Sequence, residues 1–317
     1  MLALRTILAA TDLTDACDDV LRAAAGLARR TGGALHMLHS FDFPPAPYFD
    51  DAAEAVTFQS RVEDSERTME EQIGRTVPPD VAIAGRRVEI FTAARAITDY
   101  AAAIRADVIV MGPHTHHRRD AGFLGTTADR VIRTADVPVL VVRGELRLPL
   151  RRLLVPIDLS EPTNGVLDTA LRWGAGLGAG DGTLPAPEVV EMEIVHVMPR
   201  ILASAELPFA RATVPPGMNA EVEAAVERAG RTSAVRVTEE VLWGDRPDRE
   251  IVCFVRETGS ELVVMATHGH GMVKRALIGS TASGVARAAP CPVLLLPPAV
   301  WRTADEHVVD AVHAAAG

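Results

Sequence analysis

The chain carries nearly the same pattern twice. Ile7-Leu8-Ala9-Ala10-Thr11-Asp12-Leu13-Thr14 returns as Leu153-Leu154-Val155-Pro156-Ile157-Asp158-Leu159-Ser160. Each copy is an apolar run that stops at an Asp, followed by a hydroxyl residue suited to capping a helix and then a helical pattern. The ends of the copies match as well: Val108-Ile109-Val110-Met111-Gly112-Pro113-His114 repeats as Leu262-Val263-Val264-Met265-Ala266-Thr267-His268, and Val137-Pro138-Val139-Leu140-Val141-Val142 as Cys291-Pro292-Val293-Leu294-Leu295-Leu296. A repeat of about 150 residues is far longer than a solenoid unit, so each copy is expected to be a domain with its own core. The expected boundaries are 1–146 and 147–300, with a tail over 301–317. The apolar residues of that tail, Trp301, Val308, Val309 and Val312, suit an amphipathic helix packed on the body.

Strand and helix patterns alternate through both halves. The first reads as strand 4–10, helix 14–31, strand 34–41, helix 52–74, strand 87–91, helix 94–105, strand 107–111, helix 126–134 and strand 137–142. The second reads as strand 152–157, helix 162–177, strand 189–197, helix 218–230, strand 235–242, helix 248–258, strand 261–265, helix 280–289 and strand 292–296. Near-continuous aliphatic runs such as Val108–Met111 are what a parallel sheet covered on both faces requires. The expected fold is therefore α/β: two tandem doubly wound domains, each an open, mostly parallel five-stranded sheet flanked by helices. The second half differs by a Gly- and Pro-rich insertion, Gly178 to Pro187, and a long irregular stretch, Pro199 to Gly217.

Composition narrows the function classes. The 317 residues are 48% hydrophobic and 23% charged, with a net charge of -10, and acidic residues outnumber basic ones in each half. Neither half offers a basic surface, which argues against nucleic acid or an anionic membrane as the main partner. The first ten residues carry Arg5 and run into Asp12 with no cleavage pattern or long apolar span, so the expected location is the cytoplasm. Cys17, Cys253 and Cys291 never form a CxxC and read as small buried apolar residues.

In an open parallel sheet a ligand crevice lies beyond the carboxyl ends of the strands, where neighbouring connections leave on opposite faces. Three features of each half converge there: the Asp ending the first strand (Asp12, Asp158), the end of the fourth strand (Gly112, Ala266), and a last helix that starts behind a Gly and two hydroxyls. Those helix starts are Gly125-Thr126-Thr127 and Gly279-Ser280-Thr281. Open N–H groups and the positive end of a helix dipole suit an anion, although a Ser or Thr before a helix is ordinarily only a cap.

The spacing adds to this. Ala266-Thr267-His268-Gly269, nine residues, then Gly279-Ser280 closely resembles the Gly-x2-Gly-x9-Gly-Ser/Thr nucleotide motif of the universal stress protein family. The resemblance extends over nearly the whole chain as two tandem copies, and takes in the Gly244-Asp245-Arg246-Pro247 turn and the Pro-Val strand that closes each copy. It implies ATP, with Mg²⁺, as the ligand. It assigns Gly269, Gly279, Ser280 and Thr281 to the phosphates and ribose, with His268 inside the motif and Ala266 where the motif has its first Gly. Asp158, and by the same match Asp12, would face the adenine and ribose. An added methyl at Ala266 is tolerated only if its φ is ordinary and the ligand does not pass closely. The first half keeps Gly112, Gly125, Thr126 and Thr127 but has Thr115 where the second Gly belongs, so the second half is expected to be the better site. Lys274 and Arg275 lie in the nine-residue loop and read either as solvated or as partners for phosphate charge.

Other motifs fail on context. His114, His116 and His117 look like metal ligands, but the matching stretch of the other half has His268 and His270 with no acidic or Cys companion nearby. Gly174-Ala175-Gly176-Leu177-Gly178-Ala179 follows a helix where a dinucleotide fingerprint needs a strand, and no Gly-x4-Gly-Lys-Ser/Thr or Gly-x-Ser-x-Gly is present. Three readings stay open. The first is a cytoplasmic ATP-binding regulatory protein of the stress response, the second a slow ATPase, and the third a nucleotide-free interaction protein. The resemblance further implies pairing through the last strands, Val137 to Val142 with Cys291 to Leu296, as a pseudodimer within one chain, and a homodimer of two chains beyond it.

Overall fold

The structure is a computed structural model that describes residues 2–42, 52–113, 124–158, 163–179, 189–200, 223, 227, 234–268 and 278–301. The first half contains β1 (Thr6–Thr11), α1 (Asp18–Thr31), β2 (Ala34–Phe41), α2 (Ala52–Thr76), β3 (Ile83–Ile90), α3 (Ala93–Ala103), β4 (Val108–Met111), α4 (Thr126–Thr134) and β5 (Val139–Val141). The second contains β6 (Arg152–Ile157), α5 (Thr163–Gly178), β7 (Val190–Met198), β8 (Val235–Trp243), α6 (Pro247–Thr258), β9 (Leu262–Ala266), α7 (Ser280–Ala288) and β10 (Val293–Leu296). Apart from Glu223 and Glu227, both helical, the expected helix over 218–230 lies outside the described residues, as do nearly all of the 178–187 insertion and the tail after Trp301. So do His114, Thr115, His116, His117, Gly269, Lys274 and Arg275.

All ten strands form one sheet in the order β3-β2-β1-β4-β5-β10-β9-β6-β7-β8. Within each half every neighbouring pair is parallel. The halves meet in the antiparallel pair β5–β10, with Val141 opposite Val293, Leu140 opposite Leu294 and Val139 opposite Leu295. The intramolecular pseudodimer is therefore real, and it joins two sheets into one.

Helices cover both faces. Alternation along the strands sends Leu140, Val142, Leu294 and Leu296 to one face, where they meet α1, α2 and α5. Val139, Val141, Val293 and Leu295 go to the other, against α3, α4, α6 and α7. Each apolar cluster runs through both halves without a break at the junction. Trp301, 3% exposed, closes the first cluster against α5. There a Cβ on Gly165 would sit 2.5 Å from the Trp301 Cβ, so only glycine allows that approach.

The strand read at 87–91 runs instead over Ile83–Ile90. It is an edge strand with no fully buried residue and with Arg86 and Arg87 exposed, so its early residues carry little apolar signal. The cysteine reading also needs one change. Cys17 and Cys291 are buried, but Cys253 is exposed on α6, where its helical position faces away from the Ile251, Val252 and Val255 contact surface. Among the described residues no helix is long and apolar enough to cross a membrane.

Beneath the end of β1 lies a polar network. Thr11 Oγ1 donates to Gln72 Oε1 at 2.8 Å, and Gln72 Nε2 donates to Asp18 Oδ1 at 3.0 Å and to the Thr14 carbonyl at 2.9 Å. Arg75 donates to both Asp18 oxygens, at 2.9 and 3.0 Å. Gln72 is fully buried, so every one of these partners is needed. Burial pushes the Asp18 carboxyl up, but hydrogen bonds from Arg75 and Gln72 and the charges of Arg75 and Arg22 outweigh it and hold the group below its ordinary range.

Two outcomes follow from this architecture. Leu294 is fully buried at the junction, so Leu294→Ala should cost about 2–5 kcal/mol. Because the cores are continuous, scanning calorimetry should still show a single transition, and two resolved transitions would contradict a shared core. Asp18→Asn should lower stability at pH 7 by on the order of 2 kcal/mol. The depressed Asp18 pKa contributes stability above the unfolded carboxylate range and loses it as pH falls through the folded value. Urea titrations should therefore show the deficit at pH 7 shrinking at pH 3; a deficit that does not change with pH would count against this role for the carboxylate.

Candidate functional site

The strand order brings the repeated Asp residues to equivalent crevices. In the first half the β1 connection leaves through α1 on one face while the β4 connection leaves through α4 on the other, and β1 and β4 are neighbours. In the second half β6 and β9 stand in the same relation, with α5 and α7 on opposite faces. A switch of this kind opens a crevice past the strand ends.

The second crevice is a cavity of about 480 Å³. Its wall includes Asp158 at the end of β6, Ala266, Thr267 and His268 at the end of β9, and Gly279, Ser280 and Thr281 at the start of α7. That volume is within the range of small-ligand sites, about 300–1,000 Å³. The equivalent space in the first half is about 70 Å³, lined by Asp12, Gly112, Gly125 and Thr127 among others. Thr126 is exposed and is not part of that wall. Of the residues the sequence singled out, Asp158, Ala266, His268, Gly279, Ser280 and Thr281 share the larger wall and Asp12, Gly112, Gly125 and Thr127 the smaller, while Gly269 lies outside the described residues.

Local geometry sets what each wall offers. The Gly279 N–H donates to the Thr267 carbonyl at 2.8 Å, which ties the start of α7 to the end of β9, and Gly125 does the same to Pro113 at 2.7 Å. With Gly279 as N-cap and no side-chain capping bond, the first-turn N–H groups of α7 have no intrahelical carbonyl to meet. They carry the positive end of the helix dipole at the cavity edge. Gly279 has φ -59 and ψ 142, a conformation open to any residue. Ala266 is not among the residues with positive φ, so its methyl imposes no backbone strain at the motif's first glycine position. Thr267 is held by Leu296 and shares a 2.7 Å hydrogen bond with His268 Nδ1.

Asp12 Oδ1 accepts from the Thr14 N–H at 3.1 Å and the Thr14 hydroxyl at 2.6 Å, turning the carboxylate back onto its own loop. Next to it, Leu13 takes a left-handed φ of 65. Cys17 on the same wall is a thiol pushed up to about 12 by burial, with the Asp12 charge adding to the effect. Asp158 is exposed at the mouth of the larger cavity.

Several wall residues escaped the sequence reading: Thr163 on α5, Val195 and His196 on β7, and Pro247 and Ile251 on α6. A signal for one of them was present. His196 Nδ1 lies 3.0 Å from the Ile157 carbonyl, and His39 Nδ1 lies 3.0 Å from the Thr11 carbonyl. Both histidines hold the residue before the Asp, and both sit in the second strand of their half, so aligning the repeats through those strands would have found the pair. A carbonyl only accepts, so each ring donates from Nδ1, and a neutral ring keeps Nε2 as an acceptor. Burial holds His39 below the usual histidine range, against the opposing effects of its carbonyl partner and Asp12.

Comparison with known proteins agrees with this architecture. The model of the universal stress protein family matches twice, over residues 3–143 and 149–297. A universal stress protein of Mycobacterium tuberculosis is 25% identical over 215 residues, covering 63% of this chain and 68% of its own length. One from Thermus aquaticus is 31% identical over 146 residues, 44% of this chain and 98% of that protein. Among solved structures, a universal stress protein from Archaeoglobus fulgidus superposes with a TM-score of 0.63 at 19% identity, covering 92% of this chain and 96% of its own. A functionally unknown protein from Pseudomonas aeruginosa gives 0.59 at 16% identity and 98% coverage of both chains. With two matched copies spanning nearly its whole length, the chain belongs to the universal stress protein family as a tandem member.

Proposed function

We propose that this chain is a cytoplasmic regulatory protein of the stress response that binds ATP in the cavity of its second half. The observation that carries this reading is the contrast between about 480 Å³ behind Asp158 and about 70 Å³ behind Asp12 in crevices of otherwise matching design. The larger cavity suits the ligand in three ways. Apolar side chains such as Val166, Val195, Ile251 and Met265 suit a nucleobase. Asp158 can accept hydrogen bonds from an exocyclic amine or sugar hydroxyls. The start of α7, with Ser280 and Thr281, suits a phosphate chain. Gly269, outside the described residues, belongs to the same set by its place in the motif.

Asp158 is the one carboxylate on the described wall. A Mg²⁺ accompanying the nucleotide would therefore be held mainly by phosphate oxygens and water, as this ion commonly is. Occupancy would shift the population of a conformation or an interaction surface, and a ligand does so only through its differential affinity for the two states. In this reading the halves, 1–146 and 147–300, share one sheet but have unequal sites, and a homodimer adds a further interface.

Calorimetric titration with ATP and Mg²⁺ should give about one nucleotide per chain. Gly279→Val should weaken binding by at least about tenfold, a change of 1.4 kcal/mol, because a side chain there enters the phosphate end of the cavity. The backbone conformation admits valine, and its Cβ would stand 3.2 Å from the Thr267 carbonyl oxygen, so thermal melts should confirm a folded variant. Gly125→Val should leave the stoichiometry unchanged. Folded wild-type protein that takes up no ATP would sink the reading, and steady phosphate release would turn it into an ATPase.

A further inference from the structure

The two halves differ by one rung of the sheet, beside the larger cavity. In the first half the β1–β4 ladder runs from Ile7 opposite Val108 to Ala9 opposite Val110. In the second, the β6–β9 ladder holds Leu153 opposite Leu262 and Leu154 opposite Val263, and stops there. By the repeat, Val155 stands where Ala9 does and Val264 where Val110 does, so the missing rung is Val155 with Val264.

The residue that withholds it can be named. Alternate residues of a parallel strand turn their N–H and C=O groups to alternate neighbours. The Ile109 and Val263 N–H groups donate to the Pro138 and Pro292 carbonyls, just before β5 and β10, so Val110 and Val264 turn the other way, to β1 and β6. The donor that closes such a rung belongs to the residue after Ala9 or Val155. In the first half that residue is Ala10; in the second it is Pro156, which has no N–H. A proline in a central strand costs a ladder hydrogen bond, and β6 lies between β9 and β7. Here the lost bond falls where the two strands part, and the residues past the last rung line the cavity: Pro156 and Ile157 on β6, Met265 and Ala266 on β9. Released from β9, the end of β6 is held from its other side, where Ile157 pairs with His196 and its carbonyl accepts from His196 Nδ1 at 3.0 Å. We propose that Pro156 is a positioning residue of the nucleotide site, which by withholding an N–H keeps the ends of β6 and β9 apart at the cavity; this rests on the nucleotide reading above.

The experiment compares the full-length wild type with Pro156→Ala and Pro156→Val, by amide hydrogen exchange without nucleotide and by titration with ATP. Both variants restore the N–H, and valine also keeps apolar bulk at the cavity wall. In both, the amide at position 156 should be protected from exchange, and ATP affinity should fall by at least about threefold, the scale of one backbone hydrogen bond that binding must now break. A smaller loss in the two variants would overturn the proposal, as would an unprotected amide at position 156. So would a loss in the alanine variant alone, which marks a packing contact of the ring and not the ladder. Wild-type protein that takes up no ATP would overturn the nucleotide reading and with it the ligand part of this proposal. The exchange measurement is independent of nucleotide and decides the ladder part by itself.

Discussion

The antiparallel pairing of β5 with β10 is the interaction on which the rest depends. Val139–Val141 is a strand of three residues and Val293–Leu296 one of four. Alone, each would leave a short, wholly apolar edge, the kind of edge that recruits other chains. Paired, they bury Leu140 against Leu294 on one face and Val139 and Val141 against Leu295 and Val293 on the other. The short polar join after Val142 returns the chain to the same side of the junction, where a parallel pairing would have needed a long crossover. Two five-stranded sheets that could each have ended in solvent thus become one sheet whose free edges are β3 and β8.

That junction also fixes where the crevices lie. Each β1–β4 or β6–β9 switch is placed by its own half, but the half is held by a sheet shared with the other. The strands run antiparallel across the junction, so the carboxyl ends of β4 and β9, and with them the two crevices, lie at opposite edges of the sheet. Any ligand at one crevice contacts elements whose cores continue into the other half, as Leu296 and Val142 do within a single cluster.

Much of this was legible in the residues. The repeats, the run Val108–Met111 and the helix starts at Thr126 and Ser280 are strong because long apolar periodicity and a Gly-hydroxyl start leave few alternatives. Pairing of the last strands followed from a family pattern, not from any local signal. β3 was read late because an edge strand with exposed Arg86 and Arg87 resembles a polar connection over its first residues. Within the site, the crevice-edge residues Asp158, Ala266, Gly279 and Ser280 stood out by their spacing in the chain. Thr163, His196 and Ile251 did not, since they reach the cavity from separate elements and only packing brings them to one wall.

Why the repeats diverge is visible in the polar network under β1. Thr11 and Asp18 are joined there through Gln72, and Arg75 fixes Asp18 to the 3₁₀ turn at Asp15–Cys17. The second half has Ile157 in the place of Thr11 and Asn164 in that of Asp18, so neither the hydroxyl that starts the network nor the carboxylate that anchors it is present. In the first half the loop after β1 is tied down twice, through this network and through Asp12 bonding to Thr14. A loop constrained in that way has little freedom to rearrange. At the end of β6 the same scaffold ends in an apolar residue and an Asp at the cavity mouth. One fold, built twice, therefore carries a buried polar network under the first strand of one copy that the other copy has no residues to build.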